Sequence, residues 1–432
     1  MTTSLGEEWR LNPVVIFRPE AKGALLFNPE IAETTYLSRG ALAFLGEILA
    51  GRVRAGKFPL GFWSYLQRAG IIQFGERNNG NGAGIIRECR EAAIAEIPRS
   101  LSAPETLHLA VTDACDQECP GCFYSRRDGR PGRFMSRTLF AEVLRSAREV
   151  RVFQFAFGGG EPLLHPDLLD FAEAAKRAGI VPNITTNGNR LSPEMALALR
   201  AAGLGQLQIS LDGATEKTGS RTRPNYAQSL RAMEVSRWAG LRFGINTLVT
   251  RDNFRGLPKV FSLAAEKGAS GVNLLRPKPP TSRPGWLEQS SLSPAEQRHL
   301  ALILRRETKK RGIRITLDQS LSFLAGHRSA DDLFENGVWG CGAGRRFLAI
   351  GPDGTVFPCS HFRQAVGTNG DFMDAWRNSP LLDKFRRLEE TIKGVCRRCR
   401  LVFVCRGCRA VVTDLGSDFF DHDPHCPRLA PT

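Results

Sequence analysis

Cys115, Cys119 and Cys122 stand in the run TDACDQECPGCFYS, a C-x3-C-x2-C spacing within one short stretch. Three thiolates so close together can ligate three irons of a 4Fe–4S cluster and leave the fourth iron without a protein ligand. An open iron is a place where a small molecule can chelate and receive an electron. The same spacing suits three of four zinc ligands, or thiols that are simply buried. A second group lies far downstream: Cys341, Cys359, Cys396, Cys399, Cys405, Cys408 and Cys426. Two C-x2-C pairs five residues apart, with His361, His422 and His425 nearby, could also form zinc sites of four cysteines or of three and a histidine. Cys89 stands alone, a buried thiol or a further ligand for an open site.

The chain has 432 residues, 42% hydrophobic and 24% charged, enough for two or three cores. It has no continuous apolar run long enough to cross a bilayer, and MTTSLGEEWRLNP lacks the layout of a signal peptide. These features lead us to expect a cytoplasmic protein with no membrane partner and reduced thiols. Clustered cysteines in a reducing compartment favour metal over disulfides. The formal charge of +15 is carried mostly by arginine. Without basic runs interleaved with aromatics, it reads as a solvated surface or a match for an acidic peptide, with no nucleic-acid partner expected.

Elements must position these residues. VVIF (14–17) and ALLF (24–27), separated by a turn containing EAKG, predict a hairpin. Ser38 suits the N-cap of a helix through Ala50, with Leu42, Leu45, Ile48 and Leu49 on one face. A second helix over about 60–69 and a strand at 71–74 complete a small α+β module of winged-helix shape. ERNNGNGAG (76–84) reads as a linker, followed by a short bridging helix around 87–97.

From 107 to 276, β-rich runs alternate with helical periodicity. Strands are expected at 107–112, 153–157, 182–186, 207–211, 243–249 and 272–276, with helices at 139–150, 166–178, 193–202, 227–239 and 255–267. Six β/α repeats imply an α/β fold, a partial (β/α)6 TIM-like barrel. The cysteine triad, Gly158–Glu161, Asn187–Gly188 and Ser210–Asp212 all fall at C-terminal strand ends, where such barrels build active sites. The expected divisions are a winged-helix module (1–76), a linker (77–104), the barrel (105–325) and a C-terminal cysteine-rich, metal-stapled domain (326–432).

The cysteine triad, then GGGEP (158–162), TTNG (185–188) and SLDG (210–213) in order at successive strand ends, resembles the radical S-adenosylmethionine (SAM) superfamily. The resemblance implies SAM as cofactor, chelating the open iron through its amino and carboxylate groups. Reductive homolysis would yield a 5′-deoxyadenosyl radical that takes hydrogen from a substrate. It further implies that Gly159 and Gly160 admit the ligand to the backbone and that Glu161 meets the methionine ammonium. Asn187 belongs to the same cofactor contacts. Ser210 and Arg223 would contact ribose and carboxylate, and Phe123 would pack near the adenine. The family often has a His-Asp pair after SLDG, where this chain has Gly219 and Ser220.

The downstream cysteines resemble the SPASM extension of radical enzymes, which holds two auxiliary 4Fe–4S clusters, for three clusters in all. By that pattern Cys396, Cys399, Cys405 and Cys426 fill one cluster, while Cys341, Cys359 and Cys408 hold the other. The pattern usually has x3 in its last pair, whereas x2 separates Cys405 from Cys408. The first 76 residues resemble the winged-helix recognition element of ribosomal-peptide modifying enzymes, which binds a leader peptide as an added strand. The whole resembles a peptide maturase, with C–C or C–S bond formation favoured and a flavodoxin or ferredoxin as electron donor. The competing readings are a radical enzyme for a small molecule or cofactor intermediate, one that oxidises a sulfatase residue, and a zinc-stabilised nucleic-acid binder. No catalytic acid or base stands out.

Overall fold

The computed structural model describes residues 7–31, 33–49, 60–76, 82–124, 132–280, 283–310, 312–325, 329 and 340–429. The chain forms two compact units, Met1–Ala103 and Pro104–Thr432.

In the first unit β1 (Glu7–Leu11) pairs antiparallel with the later β5 (Ile72–Glu76). β2 (Ile16–Glu20), β3 (Gly23–Asn28) and β4 (Glu33–Ser38) form a three-stranded antiparallel sheet in chain order. The expected hairpin is β2–β3; β1 and β4 went unread because EEWRL and ETTYLS carry few apolar residues. Helices Arg39–Leu49, Leu60–Arg68 and Gly82–Glu91 complete the unit. The last begins five residues before the expected bridging helix, so 82–84 open a helix rather than end a linker. Residues 77–81 of that linker and Ala50 lie outside the described residues.

Leu26, Leu42, Leu45, Leu66 and Ile71, all at 0% exposure, form the core, and Cys89 is packed with them as a buried thiol. Within β2, Arg18 and Glu20 are buried and paired at 2.8 Å. Their outer atoms hold the chain end of the unit, Arg18 donating to the Ala103 carbonyl (3.0 Å) and Glu20 accepting from the Ser102 amide (2.7 Å).

The second unit carries a nine-stranded sheet in the order β12-β11-β10-β9-β8-β7-β6-β13-β14. β6 (Thr106–Thr112), β7 (Gln154–Gly159), β8 (Val181–Thr186), β9 (Gln206–Ser210), β10 (Phe243–Leu248) and β11 (Val272–Leu275) are the six expected strands, all parallel in chain order. The helices between them follow the expected spans to within two residues, from Arg137–Glu149 to Leu257–Glu266. β10 is buried over five consecutive residues, as a parallel strand covered on both faces requires, whereas β6, β7, β9 and β11 alternate buried and half-buried residues.

Three strands extend this sheet beyond the six repeats. β12 (Ile315–Leu317) continues it in parallel beside β11. β13 (Phe347–Ile350) pairs parallel with β6, and β14 (Val356–Phe357) pairs antiparallel with β13. The cysteine-rich segment is thus hydrogen-bonded into the barrel sheet.

Candidate functional site

The Cys115 loop springs from the end of β6 and is fastened at its base. Thr112 donates its hydroxyl to the Arg133 carbonyl (2.7 Å) and accepts the Ala114 amide (3.0 Å). Asp113 accepts from the Arg133 side chain at 2.8 Å. The loop then lies on the end of β7: the Gly160 amide donates to the Thr112 carbonyl and the Glu161 amide to that of Ala114, both at 2.8 Å.

This approach explains the glycines. A Cβ on Gly160 would stand 2.0 Å from the Ala114 carbonyl oxygen, and one on Gly159 (φ 107°) 2.3 Å from that of Thr112. The closeness that the family pattern reserves for a ligand is therefore used by the cysteine loop itself. Gly158 is the open one, with nothing within 4 Å of an added Cβ.

Glu161 is 1% exposed. Its carboxylate accepts from the Leu163 amide (3.0 Å), the Thr186 hydroxyl (2.7 Å) and the Asn187 amide (2.8 Å), joining β7 to β8. Burial pushes this carboxyl up to about 7 in spite of those donors. Asn187 donates to Asp116 (2.8 Å) and reaches the Cys115 sulfur at 4.0 Å. The TTNG turn thus touches the Cys115 loop.

On the far side Asp212, at the end of β9, accepts the Thr222 hydroxyl (2.7 Å) and the Leu248 amide (2.7 Å) and pairs with Arg223 (3.0 Å). Burial raises the Cys119 thiol while the Arg223 guanidinium beside it draws it back. Arg223 therefore stands at the cysteine loop, whereas Arg221 pairs with the exposed Asp252 on the surface. Ser210 is buried at the same strand end. Phe123 packs on His361 with ring centroids 4.2 Å apart, and Trp286 closes over Gly121, where a Cβ would lie 2.1 Å from its ring.

The downstream thiols fall into two neighbourhoods. Cys341, Cys359 and Cys408 lie within electrostatic reach of one another around the apolar cluster of Phe362, Phe385 and Val411. Cys396, Cys399, Cys405 and Cys426 form the other, Cys426 facing Cys399 and both Cys396 and Cys426 facing Cys405. Burial pushes the Cys359 and Cys405 thiols up to about 12, so metal binding there would displace protons. The shortened Cys405–Cys408 turn is accommodated by two left-handed residues, Arg406 (φ 58°) and Gly407 (φ 64°).

Among the described residues no group of three or more His, Cys, Asp and Glu side chains closes on a single metal ion. His361 packs against Phe123 and His422 lies beside Gly394, while the buried His425 Nδ1 has no hydrogen-bond partner. All-thiol sets of three, three and four suit iron–sulfur clusters, the first beside the polar groups of Glu161, Asn187 and Arg223.

Sequence reasoning missed the struts of this region. Arg276, just past β11, makes a buried bidentate pair with Asp423 (2.6 and 2.8 Å). Asp423 also accepts the Cys408 amide (2.8 Å) and the His425 amide (3.0 Å). The guanidinium beside it holds the Asp423 carboxyl well below its usual range against the opposing effect of burial. Lys278 binds Asp318 (2.5 Å) and the Ser320 hydroxyl (2.7 Å). An acidic residue three before Cys426 was the available signal.

Comparison with known proteins decides the family. The Radical SAM superfamily model matches residues 109–264, and the SPASM iron–sulfur cluster-binding model matches 341–400. Mycofactocin maturase MftC of Mycobacterium ulcerans is 32% identical over 345 residues, covering 77% of this chain and 90% of that protein. The chain belongs to the radical SAM family. An AdoMet-dependent heme synthase of Methanosarcina barkeri is 29% identical, covering 75% of this chain and 97% of its own. PqqA peptide cyclase of Gluconobacter oxydans is 27% identical, covering 75% and 91%. The structure of Streptococcus suis SuiB bound to S-adenosylmethionine superposes with TM-score 0.72 at 19% identity, covering 96% of this chain and 99% of that one. The α/β partial barrel with a C-terminal cysteine-rich domain is thereby borne out, and the chain is a radical SAM enzyme. No described helix is long and apolar enough to cross a membrane.

Proposed function

We propose that this enzyme modifies a ribosomally made precursor peptide. The observation that carries this is the pairing of a three-thiol loop, flanked by Glu161, Asn187 and Arg223, with a separate first unit whose sheet offers one open edge. Cys115, Cys119 and Cys122 hold the first 4Fe–4S cluster. SAM on that cluster supplies a 5′-deoxyadenosyl radical that removes hydrogen from the peptide.

The protein's part is to orient and enclose. Arg223, kept charged beside Asp212, suits the carboxylate of the methionine moiety. Glu161, already holding three donors, fixes the β7 and β8 ends and offers its charge to the ammonium. The backbone at Gly158 gives the ligand its close approach, while Ser210 and Phe123 border the ribose and adenine. Cys396, Cys399, Cys405 and Cys426 hold one auxiliary cluster, and Cys341, Cys359 and Cys408 the other. Held there, such clusters would supply an acceptor for the electron left when a C–C or C–S bond closes.

The leader docks at β4. At the opposite edge β2 carries Pro19, which has no N–H to give an added strand, and its Arg18 and Glu20 are tied to 102–103. β4 pairs with β3 alone among the described strands and exposes Tyr36 at 45%. Mycofactocin maturase and PqqA peptide cyclase are peptide-directed by name, and a SuiB structure bound to precursor peptide SuiA covers 97% of this chain. The heme synthases favour a small-molecule substrate as the second reading; their similarity covers 75% of the chain for the Methanosarcina barkeri protein, as much as that of the maturases (77% and 75%), so the choice rests on the first unit.

The test is incubation of reduced enzyme, SAM and the peptide encoded by a short reading frame beside the gene. Loss of two hydrogens from the peptide mass, dependent on its leader, supports the proposal. Turnover of a porphyrin-like substrate with an unchanged peptide refutes it.

A further inference from the structure

Arg409 follows Cys408 directly and is 1% exposed. Its guanidinium donates only to backbone carbonyls, those of Phe419 (2.6 Å), Asp421 (2.7 Å) and Arg406 (3.0 Å). No carboxylate pairs with it within 4.0 Å among the described residues, and its Nε has no hydrogen-bond partner. Asp423, the acidic group nearest in the fold, is already taken by both nitrogens of Arg276. A buried guanidinium without its own anion is costly, so such a residue calls for negative charge from another source.

The thiol neighbourhoods surround it. Beyond Asp423, its first electrostatic partner, Arg409 lies within reach of Cys408 and Cys341 of one set and of Cys396 of the other. Arg406 stands between Cys405 and Cys408 in the chain, one thiol from each set, and is 3% exposed. Its guanidinium lies 3.8 Å from Glu389, whose carboxylate is engaged at 2.6 Å by Arg345. Two buried cations thus sit at the seam between two all-thiol sets.

We propose that Arg409, supported by Arg406, is the shared counter-charge of the two auxiliary clusters and holds their reduction potentials up. The inference rests on the cluster assignment proposed above. Adding one electron to a cluster adds one negative charge, and a fixed cation in a low-dielectric interior stabilises that reduced state. The electron comes from the substrate radical as its new bond closes, and no proton is needed at the cluster. Arg409 thereby makes the auxiliary pair a competent acceptor without ligating iron.

The test is EPR-monitored potentiometry of anaerobically reconstituted full-length enzyme, with iron and sulfide counted in the same samples. Arg409→Gln, at wild-type iron content, is expected to be reduced at least tenfold less favourably, a fall of about 59 mV for one electron, at both auxiliary clusters. Arg409→Lys keeps the charge and the wild-type potentials. Wild-type potentials in the loaded Gln variant overturn the proposal, as does an equal fall in the Lys variant. Should Arg409→Gln not retain iron, Glu389→Gln decides, since unmasking Arg406 must move a potential upward and an unmoved potential refutes the account. A wild-type enzyme that loads only the Cys115-loop cluster refutes the underlying assignment instead, and this inference with it.

Discussion

The Cys115 loop and the C-terminal cysteine region present their thiols in opposite ways. The loop offers three thiols, with Cys115 exposed, and is held mainly by backbone contacts that only glycine permits at Gly160. The C-terminal thiols sit among apolar clusters, Cys408 at 7% exposure, braced by the Arg276–Asp423 pair and flanked by buried arginines. A donor set left incomplete beside polar side chains admits a ligand. A set packed among apolar and cationic groups is suited to holding charge rather than admitting a ligand.

The largest expected effect breaks the first half of that contrast. Cys115→Ala should reduce 5′-deoxyadenosine formation to background while the auxiliary iron stays bound, as read by product analysis and iron content. Undiminished cleavage would place the reactive cluster elsewhere.

The second half breaks at Asp423. Asp423→Asn leaves the Arg276 guanidinium buried without a charge partner, a loss of about 3–5 kcal/mol in anaerobic denaturant unfolding. Auxiliary iron should fall with it while the Cys115-loop iron persists. Equal loss from both regions would mean that the strut serves the whole unit rather than its cysteine-rich part.

A glycine pair sharpens the contrast. Gly160→Ala forces a methyl onto the Ala114 carbonyl, costing about 1–3 kcal/mol and iron at the loop. Gly158→Ala has open space, so iron content and stability should hold while SAM affinity, measured by calorimetry, falls. The opposite ranking would restore the ligand-facing role to Gly160.

The smallest effect should leave both cysteine regions untouched. Tyr36→Ala at the β4 edge should weaken leader-peptide binding by about fivefold, roughly 1 kcal/mol, with iron and uncoupled SAM cleavage unchanged. Unaltered leader affinity would move the docking edge away from β4.

The barrel was legible because short β-rich runs alternate with helical periodicity and end in glycine- and asparagine-bearing turns, so GGGEP and TTNG announced both strand ends and site. β12 and β13 were not, since they lie outside the run of β/α repeats that made the equally short β11 readable, and they pair only through the finished sheet. The SPASM resemblance implied a division of the downstream thiols into sets of four and three, and that partition stands as a proposal. Asp423, Arg276 and Arg409 escaped notice because a charge's burial and partner are set by tertiary packing, which spacing does not encode. Gly159 and Gly160 were legible as close-approach positions, but what approaches them is the chain's own loop.

The most direct test is anaerobic purification with iron, sulfide and zinc quantified, followed by dithionite, SAM and assay for 5′-deoxyadenosine. The account predicts about twelve irons per chain, three clusters of four, with deoxyadenosine formed. Zinc in place of iron, with no SAM cleavage, would contradict it.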